Sequence, residues 1–260
     1  MDIYDGSTRL DAILTLPDGS VYDPDNSDAK KIGKSPIVII IHGFTGQKDE
    51  DHLLAVEREV LSIGLASLRV DMYGHGKSDG RFFDHTLSKW FLNLMAIVDY
   101  AEKLDFTTDI YLCGHSQGGL TVMMGAAMMH DKIKGLIPMS PAWVIPDQAR
   151  TGEILQNFFD KDNPPESIYL PNVDMSLGGH YLREAQQIDV KSVISKYKGP
   201  VLIVHGTKDE SVLYEWSKEI VSVYDDVELV PIENDTHCFD LHADLAAIAV
   251  REWLEKQIEK

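Results

Sequence analysis

The chain has 260 residues, 44% of them apolar, which suits one large α/β domain with room for an insertion. Lys and Arg number 24 against 42 Asp and Glu, a formal net charge of −18, so nucleic acid and anionic membrane, which both need basic surface, are excluded as partners. No apolar run approaches the ~20 residues of a membrane-spanning helix, and Met1-Asp-Ile-Tyr-Asp5 has neither the basic nor the apolar part of a secretion signal.

Residues 8–16 alternate in part and read as an antiparallel opening strand, and residues 17–35, rich in Pro, Gly, Asp, Asn and Lys, as loop. Pro36-Ile-Val-Ile-Ile-Ile41 is a continuous β-branched run, the signature of a central strand buried on both faces, and His42-Gly43-Phe44-Thr45-Gly46 follows it directly. Helical periodicity covers 49–63, a strand 65–70, and the stretch Asp71-Met-Tyr-Gly-His-Gly-Lys-Ser78 closes that strand. A long helix over about 86–104 leads to a strand over 109–113. The sequence Gly114-His-Ser116-Gln-Gly118 and a Met-rich helical run over 120–129 come next. After a strand over 133–139 the pattern breaks. Residues 142–198 hold Trp143, Phe158, Phe159, Tyr169, Tyr181, Gly178-Gly179 and four prolines, and show no strong strand. The sheet resumes at Pro200-Val-Leu-Ile-Val-His205, with a helix over 211–224, a strand over 227–231 and an amphipathic helix over 240–258. Strands alternating with helices predict a mainly parallel, doubly wound sheet. The 142–198 stretch is too long for an ordinary connection. It is expected to be an insertion between core segments 1–141 and 199–260.

Gly-x-Ser-x-Gly at a strand-to-helix turn points to a nucleophilic serine, Ser116. A serine hydroxyl needs a base to take its proton and a third group to orient that base. In doubly wound sheets these partners come from loops beyond the carboxyl ends of strands, and on this architecture they run in the order Ser, acid, His. Asp209, just after the 201–205 strand, meets that test for the acid, while its neighbour Glu210 would face another way; capping of the following helix is the competing role for Asp209. His237, in Asn234-Asp-Thr-His-Cys-Phe239, meets it for the base. His242 falls inside a helix and His205 reads as structural. His42, His75 and His115 suit backbone-organising roles, and His52, His85, His130 and His180 match no motif. An oxyanion needs two backbone N–H donors. The residue after the nucleophile, Gln117, supplies one, and Phe44 after the first central strand is placed for the other.

Together, His42-Gly-Phe-Thr-Gly46, Asp71-x-x-Gly-His-Gly-x-Ser78, Gly114-His-Ser-Gln-Gly-Gly119, Asp209-x-x-Val212 and Asp235-Thr-His-Cys-Phe239 resemble the α/β-hydrolase superfamily. More narrowly they look like the cinnamoyl/feruloyl esterases of gut and rumen bacteria. That likeness extends into the insertion at Ser140-Pro-Ala142, Ala149-Arg-Thr-Gly152 and Tyr181-Leu-Arg-x-Ala-Gln186, whereas Trp143 and Asn172-Val-Asp-Met-Ser176 are less similar. The resemblance implies Ser116 as nucleophile, His237 as base, Asp209 as orienter, and Phe44 and Gln117 as oxyanion donors. It also implies an insertion that forms a small lid over the acyl pocket.

The expected activity is a cytoplasmic serine carboxylic-ester hydrolase acting on hydroxycinnamoyl esters through an acyl-enzyme. A general short-chain acyl esterase, or a serine peptidase or acyltransferase on the same fold, is the alternative. Tyr181, with Asp147, is expected to read the phenol end of the acyl group. No metal or other cofactor is expected. The expected partner is a small-molecule ester, with a homodimer left open. Cys113 and Cys238 are expected to be free thiols.

Overall fold

The structure, a computed structural model, describes residues 1–24 and 33–259, so part of the expected 17–35 loop lies outside the described residues. The chain opens with a strand that the sequence pattern did not announce, β1 (Asp2–Asp5), paired antiparallel with β2 (Thr8–Thr15). Then come β3 (Ser35–Ile41), α1 (Asp51–Ser62), β4 (Ala66–Val70), α2 (Leu87–Glu102), β5 (Thr107–His115), α3 (Gln117–Met128) and β6 (Ile133–Met139). The stretch between β6 and the next core strand holds α4 (Ile145–Thr151), hairpin β7 (Glu153–Ile154) with β8 (Asn157–Phe158), hairpin β9 (Ser167–Leu170) with β10 (Met175–Gly178), α5 (Gly179–Ala185) and α6 (Val190–Ile194). The core resumes with β11 (Val201–Gly206), α7 (Tyr214–Ile220), β12 (Val227–Ile232) and α8 (Ala243–Ile258).

Among the described residues, eight strands form one sheet in the order β1-β2-β4-β3-β5-β6-β11-β12. β2 meets β4 antiparallel, and every pairing from β4 to β12 is parallel. The alternation inside β3 explains the two layers. Ile37, Ile39 and Ile41 join the core on the α2 and α3 side, with Trp90, Leu94 and Met123. Val38 and Ile40 join the core on the α1 and α8 side, with Val56, Val60 and Trp253. A strand buried on both faces needs apolar side chains at every position, which is what the isoleucine run supplies. Helix α2 starts where Thr86 accepts a hydrogen bond from the Lys89 amide, one of the amides that a helix start leaves unpaired. Helix α3 is buried along almost its whole surface, which accounts for its small and Met-rich composition in place of an amphipathic stripe.

The register brings one sheet edge together. Ile41 at the end of β3 lies beside Gly114 of β5, His115 beside Met139 of β6, and Met139 beside Val204 of β11. The residues that follow each strand therefore meet along one line, the edge where ligands bind in open α/β sheets.

Candidate active site

Ser116 sits between β5 and α3 at φ 55 and ψ −118, a backbone conformation that an L-residue adopts only under strain of order 1–3 kcal/mol. Three main-chain bonds hold it there: its N–H donates to the Met139 carbonyl at 2.9 Å, and its carbonyl accepts from Ala142 N–H at 3.0 Å and from Leu120 N–H at 3.1 Å. The flanking glycines are sterically required. A Cβ at Gly114 would lie 2.3 Å from the Gly118 carbonyl oxygen, and one at Gly118 would lie 2.3 Å from the His42 carbonyl oxygen.

Asp209 follows β11 and is buried. Its Oδ2 lies 2.7 Å from His237 Nδ1 and 3.0 Å from His205 Nε2, and its Oδ1 accepts from the amides of Ser211 and Val212, each at 2.8 Å. The competing role expected for Asp209 thus coexists with the first: one oxygen organises the 209–212 turn and the other faces two imidazoles. Burial alone would raise this carboxyl, but the hydrogen bonds from His205 and His237 outweigh it and hold it well below the usual carboxylate range. Opposite a carboxylate, His237 Nδ1 carries the proton, which leaves Nε2 as the basic nitrogen. His237 and Ser116 line the same cleft.

His205 is buried and structural, as the sequence suggests, and its bonds reach Asp209. Its Nε2 faces two acceptors, Asp209 Oδ2 and the Val212 carbonyl at 2.8 Å, so it must be the protonated nitrogen, and Nδ1 lies 2.6 Å from the buried Ser217 hydroxyl. A donor locked in place this way holds the same Asp209 oxygen that faces His237. The sequence signal was the His205-x-x-x-Asp209 spacing across a strand end, which by itself is common.

Phe44 lies on the loop after β3. Gly46 N–H donates to the Gly43 carbonyl at 3.1 Å, and Thr45 N–H donates to His75 Nε2 at 3.2 Å. His42 Nε2 accepts from Met72 N–H at 3.0 Å, and His115 Nε2 contacts the His237 carbonyl at 2.8 Å. His42, His75 and His115 therefore do organise backbone, each tying a different loop to the sheet edge. Gln117 is the first residue of α3, so its N–H is one of the amides that no carbonyl within the helix receives.

Two expectations need correcting. Tyr181 does not line the cleft. It is buried, its hydroxyl donates to Gln117 Oε1 at 2.6 Å, and its ring packs edge-on to Phe44 with centroids 5.9 Å apart. A buried tyrosine must spend its hydroxyl, and the nearest buried acceptor is this amide. Asp147 is exposed on α4 and paired with Arg150 one turn later, which leaves it outside the cleft as well. Trp143 is buried too, its indole N–H donating to the Trp216 carbonyl at 3.0 Å.

The cleft has a volume of about 240 Å³. Phe44, Thr45, Ser116, Ser211 and His237 line it from the core segments, and residues of two hairpins line the rest. Leu155, Gln156 and Asn157 come from the β7–β8 hairpin, and Leu170, Asn172 and Val173 from the β9–β10 hairpin. Sequence reading missed both, because strands of two to four residues carry no periodicity.

Residues 34–162 match the family described as serine aminopeptidase, S33. The structure of Est1E from Butyrivibrio proteoclasticus with ferulic acid bound is 50% identical in sequence, with a TM-score of 0.92 and full coverage of both chains. The chain belongs to the α/β-hydrolase superfamily. The human palmitoyl-protein thioesterase ABHD10, mitochondrial, is a more distant relative, 26% identical over 86% of this chain and 74% of its own. The mouse α/β-hydrolase domain-containing protein 10 shares the fold at 20% identity, with a TM-score of 0.78.

Behind the serine of this hydrolase, one donor atom each from Glu50, His52 and His115 lies within 4.8 Å of the others. Burial pushes the Glu50 carboxyl up to about 7 and the His52 imidazole down to about 4, and holds His115 well below the ordinary imidazole range. This cluster was not legible as a unit, since His115 is remote in sequence from the other two.

Proposed function

We propose that the protein is a serine carboxylic-ester hydrolase that cleaves hydroxycinnamoyl esters, with Ser116, His237 and Asp209 as its catalytic residues. The observation that carries this reading is the strained Ser116 sharing a cleft with an imidazole whose Nδ1 lies 2.7 Å from a buried carboxylate. His237 Nε2 takes the Ser116 hydroxyl proton as Oγ attacks the ester carbonyl. The amides of Phe44 and Gln117 donate to the oxyanion of the tetrahedral intermediate. His237 passes the proton to the departing alcohol, leaving an acyl-enzyme. Water then repeats both steps, releasing the acid and restoring Ser116. Asp209 stabilises the imidazolium and stays ionised throughout.

The acyl preference is supported by the 50% identity to Est1E, which binds ferulic acid, and by the form of the cleft. A cinnamoyl group is flat and rigid, and Phe44, Leu155, Leu170 and Val173 offer it apolar walls. The hairpins act as the lid that supplies those walls. With Tyr181 and Asp147 outside the cleft, Asn172 at its rim is the side chain we assign to the phenol hydroxyl. We also read the protein as cytoplasmic. Cys113 and Cys238 are both free thiols, and burial pushes each up to about 12, away from the reactive thiolate. No helix among the described residues is long and apolar enough to cross a membrane.

Steady-state kinetics on methyl ferulate, p-coumarate and cinnamate, p-nitrophenyl butyrate and an aminoacyl p-nitroanilide test the reading. Hydroxycinnamates should give the highest kcat/KM, and a fluorophosphonate should label Ser116. Preference for butyrate would leave a short-chain esterase, and preference for the anilide a peptidase.

A further inference from the structure

We propose that Glu50, His52 and His115 form a site for one divalent ion of the zinc class, set behind the nucleophile and apart from the acyl cleft. Binding there does not depend on the esterase reading.

Three features of the cluster point to a ligand. Each residue leaves one buried atom without a partner: Glu50 Oε2, His52 Nε2 and His115 Nδ1. They account for three of the nine such side-chain atoms among the described residues, and a native fold rarely gathers unpaired polar atoms in one place. The tautomer of His115 is already set. Its Nε2 faces the His237 carbonyl at 2.8 Å and must carry the proton, so Nδ1 holds the lone pair. A ring N–H bonded to a main-chain carbonyl is the arrangement that orients metal-ligating histidines. Glu50 is placed at the N-cap of α1 yet its side chain makes no capping bond, so the carboxylate is not used by its own helix.

The approach to the cluster favours a cation. A second cleft, lined in part by Asp51, Asp240 and Asp244 and by Asp49, which is paired with Arg69, reaches Glu50 and His52, and among the described residues no Lys or Arg lines it. A one-signed cleft concentrates counter-ions at its base. Two imidazoles and one carboxylate are the borderline donor set that zinc takes, with water completing the shell. The same set disfavours magnesium and calcium, which prefer oxygen throughout. An ion held here would bridge the start of α1 to His115, and through His115 to the main chain of His237.

The test is equilibrium dialysis of the chelator-stripped full chain against Zn²⁺, with elemental analysis, and titration with Co²⁺ followed by its visible spectrum. One equivalent per chain is expected, with a rise in Tm. Both His52→Ala and Glu50→Gln should weaken binding at least about tenfold, while His130→Ala, at an exposed histidine, should not. Absence of stoichiometric binding at micromolar zinc would overturn the proposal. So would equal binding by wild type and both variants, or loss of binding in His237→Ala alone, which would place the ion in the acyl cleft. Should His52→Ala fail to fold by circular dichroism, Glu50→Gln decides, since it changes one atom and leaves the packing in place.

Discussion

Replacing Tyr181 by Phe removes a single oxygen from a side chain that is only 1% exposed. That oxygen donates to Gln117 Oε1 at 2.6 Å, and the other end of the same amide, Gln117 Nε2, already lacks a partner. The substitution therefore leaves a fully buried amide with no hydrogen bond at either end. Leaving a buried acceptor unpaired costs about 1–3 kcal/mol, and for a chain of this size each kcal/mol lowers Tm by roughly 2–4 °C. A fall of several degrees in differential scanning calorimetry is expected. Gln117 also carries one of the proposed oxyanion amides, so a loosened side chain should lower kcat. The loss should be the same factor for methyl ferulate and for methyl cinnamate, which has no ring hydroxyl. A Tyr181 hydroxyl that read the phenol, as the sequence leads one to expect, would instead give a KM effect confined to hydroxylated esters. Should Tyr181→Phe raise KM for ferulate and p-coumarate alone with Tm unchanged, the hydroxyl faces the substrate and the buried pairing is wrong.

Ser116→Ala should keep the fold and lose turnover by on the order of 10⁶; a folded variant retaining a hundredth of wild-type kcat would remove Ser116 as nucleophile. Asp209→Asn should lower kcat by roughly 10⁴ and Glu210→Gln hardly at all, because only Asp209 faces the imidazoles; equal rates for Asp209→Asn and wild type would move the acid elsewhere. Asn172→Ala should raise KM for p-coumarate a few-fold and leave cinnamate unchanged, as measured by initial rates on the matched pair; equal shifts would make Asn172 a packing residue. Stability should decline as pH falls from 6.5 toward 4, since burial lowers His52 and His75 to about 4 and His85 to about 3, so the unfolded chain takes up protons first. Each unit of depression is worth about 1.4 kcal/mol per histidine. Glu50, raised to about 7, acts in the opposite sense above pH 4.5 but is one group against several. A Tm that is flat or rising on acidification across that window would contradict it.

How much of this was written in the sequence follows from how local each feature is. β3 announces itself because five consecutive apolar residues, four isoleucines and a valine in unbroken order, have no other home than a strand covered on both faces. The position of Ser116 is equally local, since the glycines that permit the turn lie two residues to either side. Asp209 and His237 are distant in sequence from Ser116, yet both follow strands, and a parallel sheet sends every strand's carboxyl end to the same edge. Topology thus converts a remote pairing into one that can be reasoned from order alone. β1 escaped because four residues with one buried side chain carry no pattern.

The insertion obeys no such rule, and the misplacements fall there. Its side chains are positioned by contacts between short elements whose relative placement nothing in the local sequence dictates. By its chemistry alone Tyr181 suits a substrate phenol, since its hydroxyl can both donate and accept. What decides its role is the buried amide of Gln117, 64 positions away. The same amide explains why a tyrosine suits that position: phenylalanine would fill the space beside Phe44 and His85 equally well but would strand the glutamine. Residues 172–176, where likeness to the esterase group faded, instead reach the cleft through Asn172 and Val173. The acyl preference we propose is therefore tested at Leu155, Asn172 and Val173, which line the cleft, and the support of Gln117 at Tyr181, which holds its side-chain amide.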